Sequence, residues 1–205
     1  MKVGQQGRPG RPVAAAPDLG QAGKPCTTDR GEAQKMSDSH YDTQFFVVDE
    51  AAGTVDELKD ALRDWAQTRE SGTLQEHTPA EGLEFFAWEI AGCTFSVSFD
   101  DVADEDRWHY AGPIADSHAA LAVYGAPFFV AVTGSAPEDE DGVADLECLL
   151  TEGLELARVF ERPGVVAVGM GPGGKRDAAE AVPGTELAEP DEAFVVELRK
   201  RQVTH

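Results

Sequence analysis

The sequence contains no long apolar run. Among its 205 residues, no stretch approaches the roughly 18 consecutive apolar residues that a membrane-spanning helix needs. The first 35 residues also lack the apolar centre of a secretion signal, about 7 to 15 residues long, because their longest apolar run is Val13 to Ala16. We therefore expect a cytoplasmic protein with no membrane partner.

Cysteine is scarce and follows no recognisable pattern. Cys26, Cys93 and Cys148 are odd in number, widely spaced and in no C-x-x-C pair. From the sequence we therefore expect neither a disulfide framework nor a zinc site. Cys93 and Cys148 fall on the core-facing sides of a predicted strand and a predicted helix. There a cysteine acts as a small apolar side chain, and a reducing cytoplasm suits it.

Positive charge is concentrated at the beginning of the chain. Residues 1–35 hold six basic and three acidic residues, so the overall net charge of −21 leaves −24 for residues 36–205. A field of that sign repels nucleic acid and attracts cationic surfaces, so it bears on partners rather than on the fold. We expect no nucleic-acid partner. The general acidity of many bacterial proteins is an alternative origin of this charge.

Residues 1–35 are predicted to be a disordered leader, since their glycine, proline and glutamine content cannot bury enough apolar surface to offset chain entropy. Met36 and the Ser-Asp-Ser-His that follows it are typical of a start. The leader is therefore either a dispensable extension or a mis-called start. The remaining residues 36–205 have the size of a single domain.

Apolar periodicity predicts two strand-and-helix cycles. The first has a strand at Phe45 to Val48 and a helix that begins at the Thr54-x-x-Glu57 capping signal and ends at Ser71-Gly72. The second has a strand at Phe128 to Val132, a long helix that ends at Pro163-Gly164, and a strand at Val165 to Val168. The two strand-and-helix segments have similar apolar patterns. They are either two copies of a duplicated β-α-β unit or unrelated segments that share a common strand pattern.

The most specific local prediction is a β-hairpin from Glu84 to Phe99. With Ala91-Gly92 as a two-residue turn, Ile90 lies opposite Cys93 and the apolar side chains of both strands share one face. Two weaker strands are predicted at Arg107 to Tyr110 and at Phe194 to Leu198. The expected architecture is α+β, with a mixed, mostly antiparallel sheet of five to seven strands and two main helices packed on one face.

One glycine-rich segment follows a predicted strand. Gly169, Gly171 and Gly174 fit the dinucleotide-binding spacing G-x-G-x-x-G, and Lys175 fits the lysine of a P-loop. Arg176, however, occupies the position where a P-loop has Ser or Thr for magnesium. The alternative function is therefore a small-molecule or nucleotide-binding protein that uses the phosphate-binding residues Gly169, Gly171, Gly174 and Lys175.

No complete catalytic signature is present. His109 and His118 belong to no H-E-x-x-H pair, and Ser117 lies in no G-x-S-x-G elbow. The acidic runs do not follow the EF-hand order of calcium ligands. We therefore assign no catalytic residue, metal ligand or cofactor.

Two acidic segments are the remaining functional candidates. They predict a non-enzymatic interaction or regulatory domain, for instance an immunity-type inhibitor, that engages a basic protein partner through complementary charge. The candidate contacts are Asp100, Asp101, Asp104, Glu105, Asp106, Glu138, Asp139, Glu140 and Asp141.

Overall fold

The computed structural model describes residues 40–80, 83–136, 145–171 and 175–203. The predicted leader lies outside these residues. The described residues form seven strands and five α-helices. The strands are β1 (His40–Val47), β2 (Thr73–Ala80), β3 (Leu83–Ile90), β4 (Cys93–Asp101), β5 (Phe128–Ser135), β6 (Val165–Gly171) and β7 (Lys175–Ala181). The helices are α1 (Val55–Gln67), α2 (Arg107–Ala111), α3 (Ser117–Gly125), α4 (Leu146–Ala157) and α5 (Glu192–Gln202).

The seven strands form one sheet in the order β2-β3-β4-β5-β1-β6-β7, and each described pair of neighbours is antiparallel. This confirms the predicted α+β class and the mostly antiparallel sheet. The two β-α-β segments differ in their crossovers. β5 and β6 are separated by β1 alone, whereas β1 and β2 are separated by three strands, so the segments are not equivalent units.

The hairpin prediction is confirmed in register. Ile90 pairs with Cys93, Trp88 with Phe95, and the turn between them is Ala91-Gly92. Trp88 and Phe95 are almost completely buried, as the alternation of apolar side chains requires.

The capping signal is also confirmed. Thr54 and Glu57 form a reciprocal capping box, in which each side chain accepts a hydrogen bond from the other's backbone N–H. The first helix therefore begins at Val55, as expected. It places Leu58 and Leu62 in the core.

Two apolar cores lie on opposite faces of the sheet. The larger core packs α1 and α4, the two main helices, against one face, and it includes Phe45, Trp88 and Leu156. The smaller core packs α2, α3 and α5 against the other face, and it includes Phe46 and Leu198. The two main helices therefore share a face, as predicted, and three shorter helices cover part of the opposite face.

Two predicted strands are wrong. The aromatic segment Arg107 to Tyr110 belongs to α2, and Phe194 to Leu198 belongs to α5. In α5 the Asp191 carboxylate accepts a hydrogen bond from the backbone N–H of Phe194, and the buried Leu198 follows one turn later. The N-cap and the four-residue spacing favour a helix over a strand.

Close packing at Gly134 gives a test of the larger core. A Cβ atom at Gly134 would lie 2.5 Å from Cε1 of the buried Phe95 ring and 3.0 Å from Cδ1 of Leu149. We expect Gly134→Ala to destabilise the protein by about 1 to 3 kcal/mol, because the added methyl overpacks the contact between β4, β5 and α4. Urea unfolding measures the effect.

Gly125→Ala is the matched control. Gly125 ends α3, and a Cβ atom there would meet nothing within 4 Å. We expect this change to be neutral or stabilising by up to about 1 kcal/mol. Equal effects of the two substitutions would contradict the packing described at Gly134.

Candidate functional site

The first acidic segment lies where β4 ends. Asp100 and Asp101 are the last residues of β4 and pair with Phe129 and Phe128 at the start of β5. The chain then turns through residues 104–106 into α2. We call this end of the sheet, where β4 stops and β5 begins, the acidic end. The carboxylates of the first segment are exposed there.

Some of these carboxylates have local partners. Asp100 accepts a hydrogen bond from the Ser98 hydroxyl at 2.6 Å, and Asp104 accepts one from Nε of Arg107 at 2.8 Å. Arg107 also donates to the backbone carbonyls of Tyr124 and Ala126, which attaches the turn to the end of α3. This basic side chain is therefore already occupied within the protein.

Other carboxylates of the segment form no ion pair with the described residues. Asp101 and Glu105 form no ion pair with any residue that the structure describes. The Asp106 side chain makes no capping hydrogen bond to α2, although it precedes that helix. These three exposed groups can meet a cation from outside at little desolvation cost.

A pocket of about 520 Å³ opens at the same end of the sheet. Its apolar walls come from the end of β1 and the start of β5. They are Val47, Val48, Pro127 and Phe128. The backbone N–H of Val102 donates to the Pro127 carbonyl at 2.9 Å, which joins the acidic segment to the pocket wall.

Two further carboxylates line this pocket. Asp49 and Glu50 follow β1, and Asp49 accepts a hydrogen bond from the backbone N–H of Ala51, which caps a short 3₁₀ helix. The acidic end thus holds seven carboxylates, of which Asp49 and Glu50 line the pocket. Asp101 pairs with the wall residue Phe128, and residues 104–106 lead into α2, which packs on the opposite face of the sheet. The seven are Asp49, Glu50, Asp100, Asp101, Asp104, Glu105 and Asp106.

The capping box of α1 forms the remaining wall of the pocket. Gly53 and Thr54 line it, and the Glu57 carboxylate accepts hydrogen bonds from the backbone N–H and the hydroxyl of Thr54. These hydrogen bonds, the backbone one first, lower the pKa of Glu57 from its usual 4.5 because they favour the ionised carboxylate. The cap therefore holds this wall in place while Glu57 is charged.

The residues that flank the second acidic segment lie at the other end of the sheet. Glu138, Asp139, Glu140 and Asp141 lie outside the described residues, but the residues that flank them are placed. Ser135 pairs with Thr94 beside the β3–β4 turn, and Asp145 caps α4, whose first turn reaches Cys93. β5 has eight residues, about 24 Å of strand, between the two ends. The described residues that flank the second segment therefore lie at the opposite end of the sheet from Asp100 and Asp101.

The glycine segment has a different geometry from a nucleotide-binding loop. Gly169 pairs with Thr43 inside the sheet, and Gly171 pairs with Lys175. Gly174 lies outside the described residues. The chain then continues as the antiparallel strand β7, whereas the dinucleotide and P-loop motifs need a helix whose N-terminus faces the phosphate. The described residues therefore place no helix N-terminus after β6 that could stabilise a bound phosphate.

His118 lies beside a carboxylate and not beside the Ser117 hydroxyl. Nε2 of His118 lies 3.0 Å from Oε2 of Glu189, and the Asp116 carboxylate caps α3. No hydrogen bond joins the Ser117 hydroxyl to His118 within the part of the chain that the structure describes. Within these same ranges, no three His, Cys, Asp or Glu side chains are grouped to hold a metal ion. None of the described helices is both long enough and apolar enough to cross a membrane.

No family model matches this chain. A search of curated proteins also finds no match. The function is therefore argued from the site itself.

Sequence reasoning missed part of this site. Asp49, Glu50 and the pocket walls were not predicted, because an acidic pair after a strand is common and only the pairing of β1 and β4 with β5 brings it to the same end of the sheet as Asp101. The contact between Cys93 and Cys148 was also missed. The available signal was that both cysteines were predicted to face the core.

The lowered pKa of Glu57 predicts a pH dependence. Since the folded-state pKa is depressed, the charged carboxylate contributes stability that is complete above pH 4.5 and is lost as the pH falls through the folded pKa. We expect Glu57→Gln to be less stable than the parent protein at about pH 7, and the difference to shrink towards about pH 3. Urea unfolding across this range measures it.

Glu70→Gln serves as the control, because Glu70 is exposed and lies outside the capping box. The stability difference between this variant and the parent is expected to lack the Glu57 pH profile. If Glu57→Gln lowered the stability equally at every pH, the result would contradict the role assigned to the ionised Glu57 carboxylate.

Proposed function

We propose that this protein is a non-enzymatic interaction domain whose acidic end binds a basic protein segment. The single observation that carries the proposal is an apolar pocket, with Asp49 and Glu50 in its wall, that opens at the end of the sheet where the carboxylates of residues 100–106 are exposed. An apolar centre with a polar, charged rim is the common anatomy of protein-binding surfaces. The pocket would accept one apolar side chain of the partner, and the carboxylates would face its lysines and arginines.

Charge supports this choice of partner. Asp101 and Glu105 form no ion pair among the described residues, so a basic partner would gain new ion pairs without breaking existing ones. The excess of 24 acids in residues 36–205 adds a long-range field of the same sign. Such a field accelerates the association of an oppositely charged protein and falls off as salt screens it.

The same charge disfavours a second copy of this chain as the occupant. A symmetric contact through the acidic end would place each cluster of carboxylates near its own copy, and like charges opposite one another destabilise an interface. Nucleic acid is disfavoured for the same reason, since its phosphates are negative.

The biological form of this binding that we favour is inhibition. A basic protein that acts through its positive surface, such as a nuclease, would lose access to its substrate when an acidic domain covers that surface. This is the immunity-type role that the acidic composition already suggested. It requires no catalytic residue, cofactor or metal in this chain.

Charge neutralisation at the acidic end tests the proposal. The site variant combines Asp101→Asn, Glu105→Gln and Asp106→Asn. The control variant removes the same charge from exposed residues elsewhere, with Glu70→Gln, Glu89→Gln and Glu147→Gln. The probe is a lysine-rich peptide with one central phenylalanine, measured by titration calorimetry. We expect the site variant to bind about tenfold more weakly and the control variant to remain within about twofold of the parent.

The pocket is tested with a second peptide, in which serine replaces the central phenylalanine. Burial of a phenylalanine side chain stabilises a complex by roughly 1.5 to 3 kcal/mol, so we expect the serine peptide to bind the parent at least about tenfold more weakly. Equal binding of the two peptides would show that the pocket does not bind the phenylalanine side chain. Equal weakening by the site and control variants would show that only the total charge matters and would overturn the proposed surface.

Salt dependence gives a kinetic test. Between about 10 and 100 mM salt the Debye length shortens from about 30 to about 10 Å, and the association rate with the phenylalanine peptide should fall steeply. An association rate that does not change with salt would contradict electrostatic steering. A nucleotide that raises the melting temperature, with no response to either peptide, would favour the alternative of a phosphate-binding protein.

A further inference from the structure

Cys93 and Cys148 are brought together by the fold from positions 55 residues apart in the chain. Their Sγ atoms lie 2.7 Å from each other. Cys93 is the first residue of β4 and is fully buried, whereas Cys148 lies in the first turn of α4 and is half-buried. Neither has another thiol partner among the described residues. The two thiols therefore form an isolated pair beneath the end of a helix.

Both cysteines are attached to well-anchored backbone. Cys93 pairs with Ile90 across the β3–β4 turn. The backbone N–H of Cys148 donates to the Asp145 carboxylate at 2.9 Å, and the next residue, Leu149, is buried in the larger core. Disulfide formation requires two cysteines whose Cβ atoms already point towards each other. The direct contact between the two sulfur atoms shows that these side chains already point towards each other.

The two thiols differ in access. A small oxidant from solvent reaches the half-buried Cys148 first, because Cys93 has no exposed surface. Burial raises the pKa of the Cys93 thiol, and the contact with Cys148 and the nearby charges of Asp145 and Glu152 act in the same direction. Cys93 is therefore the protonated, protected member of the pair. This difference gives the two thiols different roles. Cys148 is the thiol that an oxidant reaches, and Cys93 is the resolving thiol that can then attack the oxidised Cys148.

We propose that Cys93 and Cys148 are an oxidation site that closes into an intramolecular disulfide when the protein meets a hydroperoxide. The Cys148 thiolate attacks one peroxide oxygen, the O–O bond breaks, and the other oxygen leaves as water or an alcohol after it gains a proton. This gives a sulfenic acid on Cys148. Cys93 then loses its proton, its sulfur attacks the Cys148 sulfur, and the sulfenic oxygen leaves as water.

The electron balance of this reaction is complete. The two thiols lose two electrons and two protons, and the hydroperoxide is reduced by the same two electrons. A reducing dithiol reverses the step through a mixed disulfide. The site is distinct from the acidic end, because it lies at the opposite end of β4, and the inference does not depend on the proposed binding function.

The disulfide would tie α4 to the sheet. It would close a loop that contains α2, α3 and β5 and would reduce the freedom of the unfolded chain over the whole of that segment. The outer face of α4 carries three exposed leucines at four-residue spacing, Leu146, Leu150 and Leu154. Oxidation would therefore immobilise the helix that presents the largest described set of exposed apolar side chains.

The experiment uses the full chain with Cys26→Ser, so that the described pair supplies the only thiols. The folded protein is treated with hydrogen peroxide, its remaining thiols are blocked, and unreduced proteolytic peptides are mapped by mass spectrometry. We expect one cross-link between the peptides that contain Cys93 and Cys148. We also expect a melting temperature higher by about 10 °C, which returns to its original value after treatment with dithiothreitol.

Two single variants provide the controls. Cys148→Ser removes the half-buried thiol with little loss of packing, and Cys93→Ala tests the buried one. Neither melting temperature should rise with peroxide. The proposal is overturned if the folded protein keeps both thiols, if Cys148 proceeds to a sulfinic acid without a cross-link, or if the cross-link forms only between chains or only after denaturation in urea.

Discussion

The fold depends on the apolar end of β1, Phe45 to Val47, which packs into both cores and is hydrogen-bonded at both edges. Phe45 packs against Phe160 in the larger core, and Phe46 stacks on Phe129 in the smaller one. β1 also pairs with β5 on one side and β6 on the other. Because a core covers each face of the sheet at these positions, β1 lies inside the sheet, between β5 and β6.

The position of β1 next to β5 also brings together the residues of the candidate binding surface. The strand ends beside the start of β5, so Val48, Asp49 and Glu50 emerge next to Pro127 and Phe128. β4 pairs with the other edge of β5 and delivers Asp101 to the same place. The pocket and its rim of carboxylates are thus assembled at the ends of three neighbouring strands, although the residues come from distant parts of the chain.

The negative charge is carried entirely outside the cores. Among the described residues no polar or charged side chain is fully buried, so the carboxylates remain hydrated and repel one another through solvent. This arrangement preserves the long-range field that a basic partner would meet. The thiol pair is shielded from that partner surface by distance, since β4 carries Cys93 at one end and Asp101 at the other.

The sequence correctly predicted the features that depend on residues close together in the chain. The register of the β3–β4 hairpin followed from alternation around a two-residue turn, and the start of α1 followed from the capping signal. The predictions that failed were short aromatic or β-branched segments. Tyr110 and Phe194 have side chains that suit a strand, but both lie in helices that cover the sheet. β7 was also unpredicted, because its small and charged residues have little strand propensity and it exists by pairing with β6.

The sequence by itself determined the α+β class, the two main helices and an exterior that is strongly acidic, since composition and periodicity act locally. Only the tertiary structure decided that Asp49 lines a pocket at the same end of the sheet as Asp101, that the glycine segment leads into a strand, and that Cys93 meets Cys148. The physical reason is that strand order is set by long-range pairing. A single sequence carries no local signal for which strand will lie beside which.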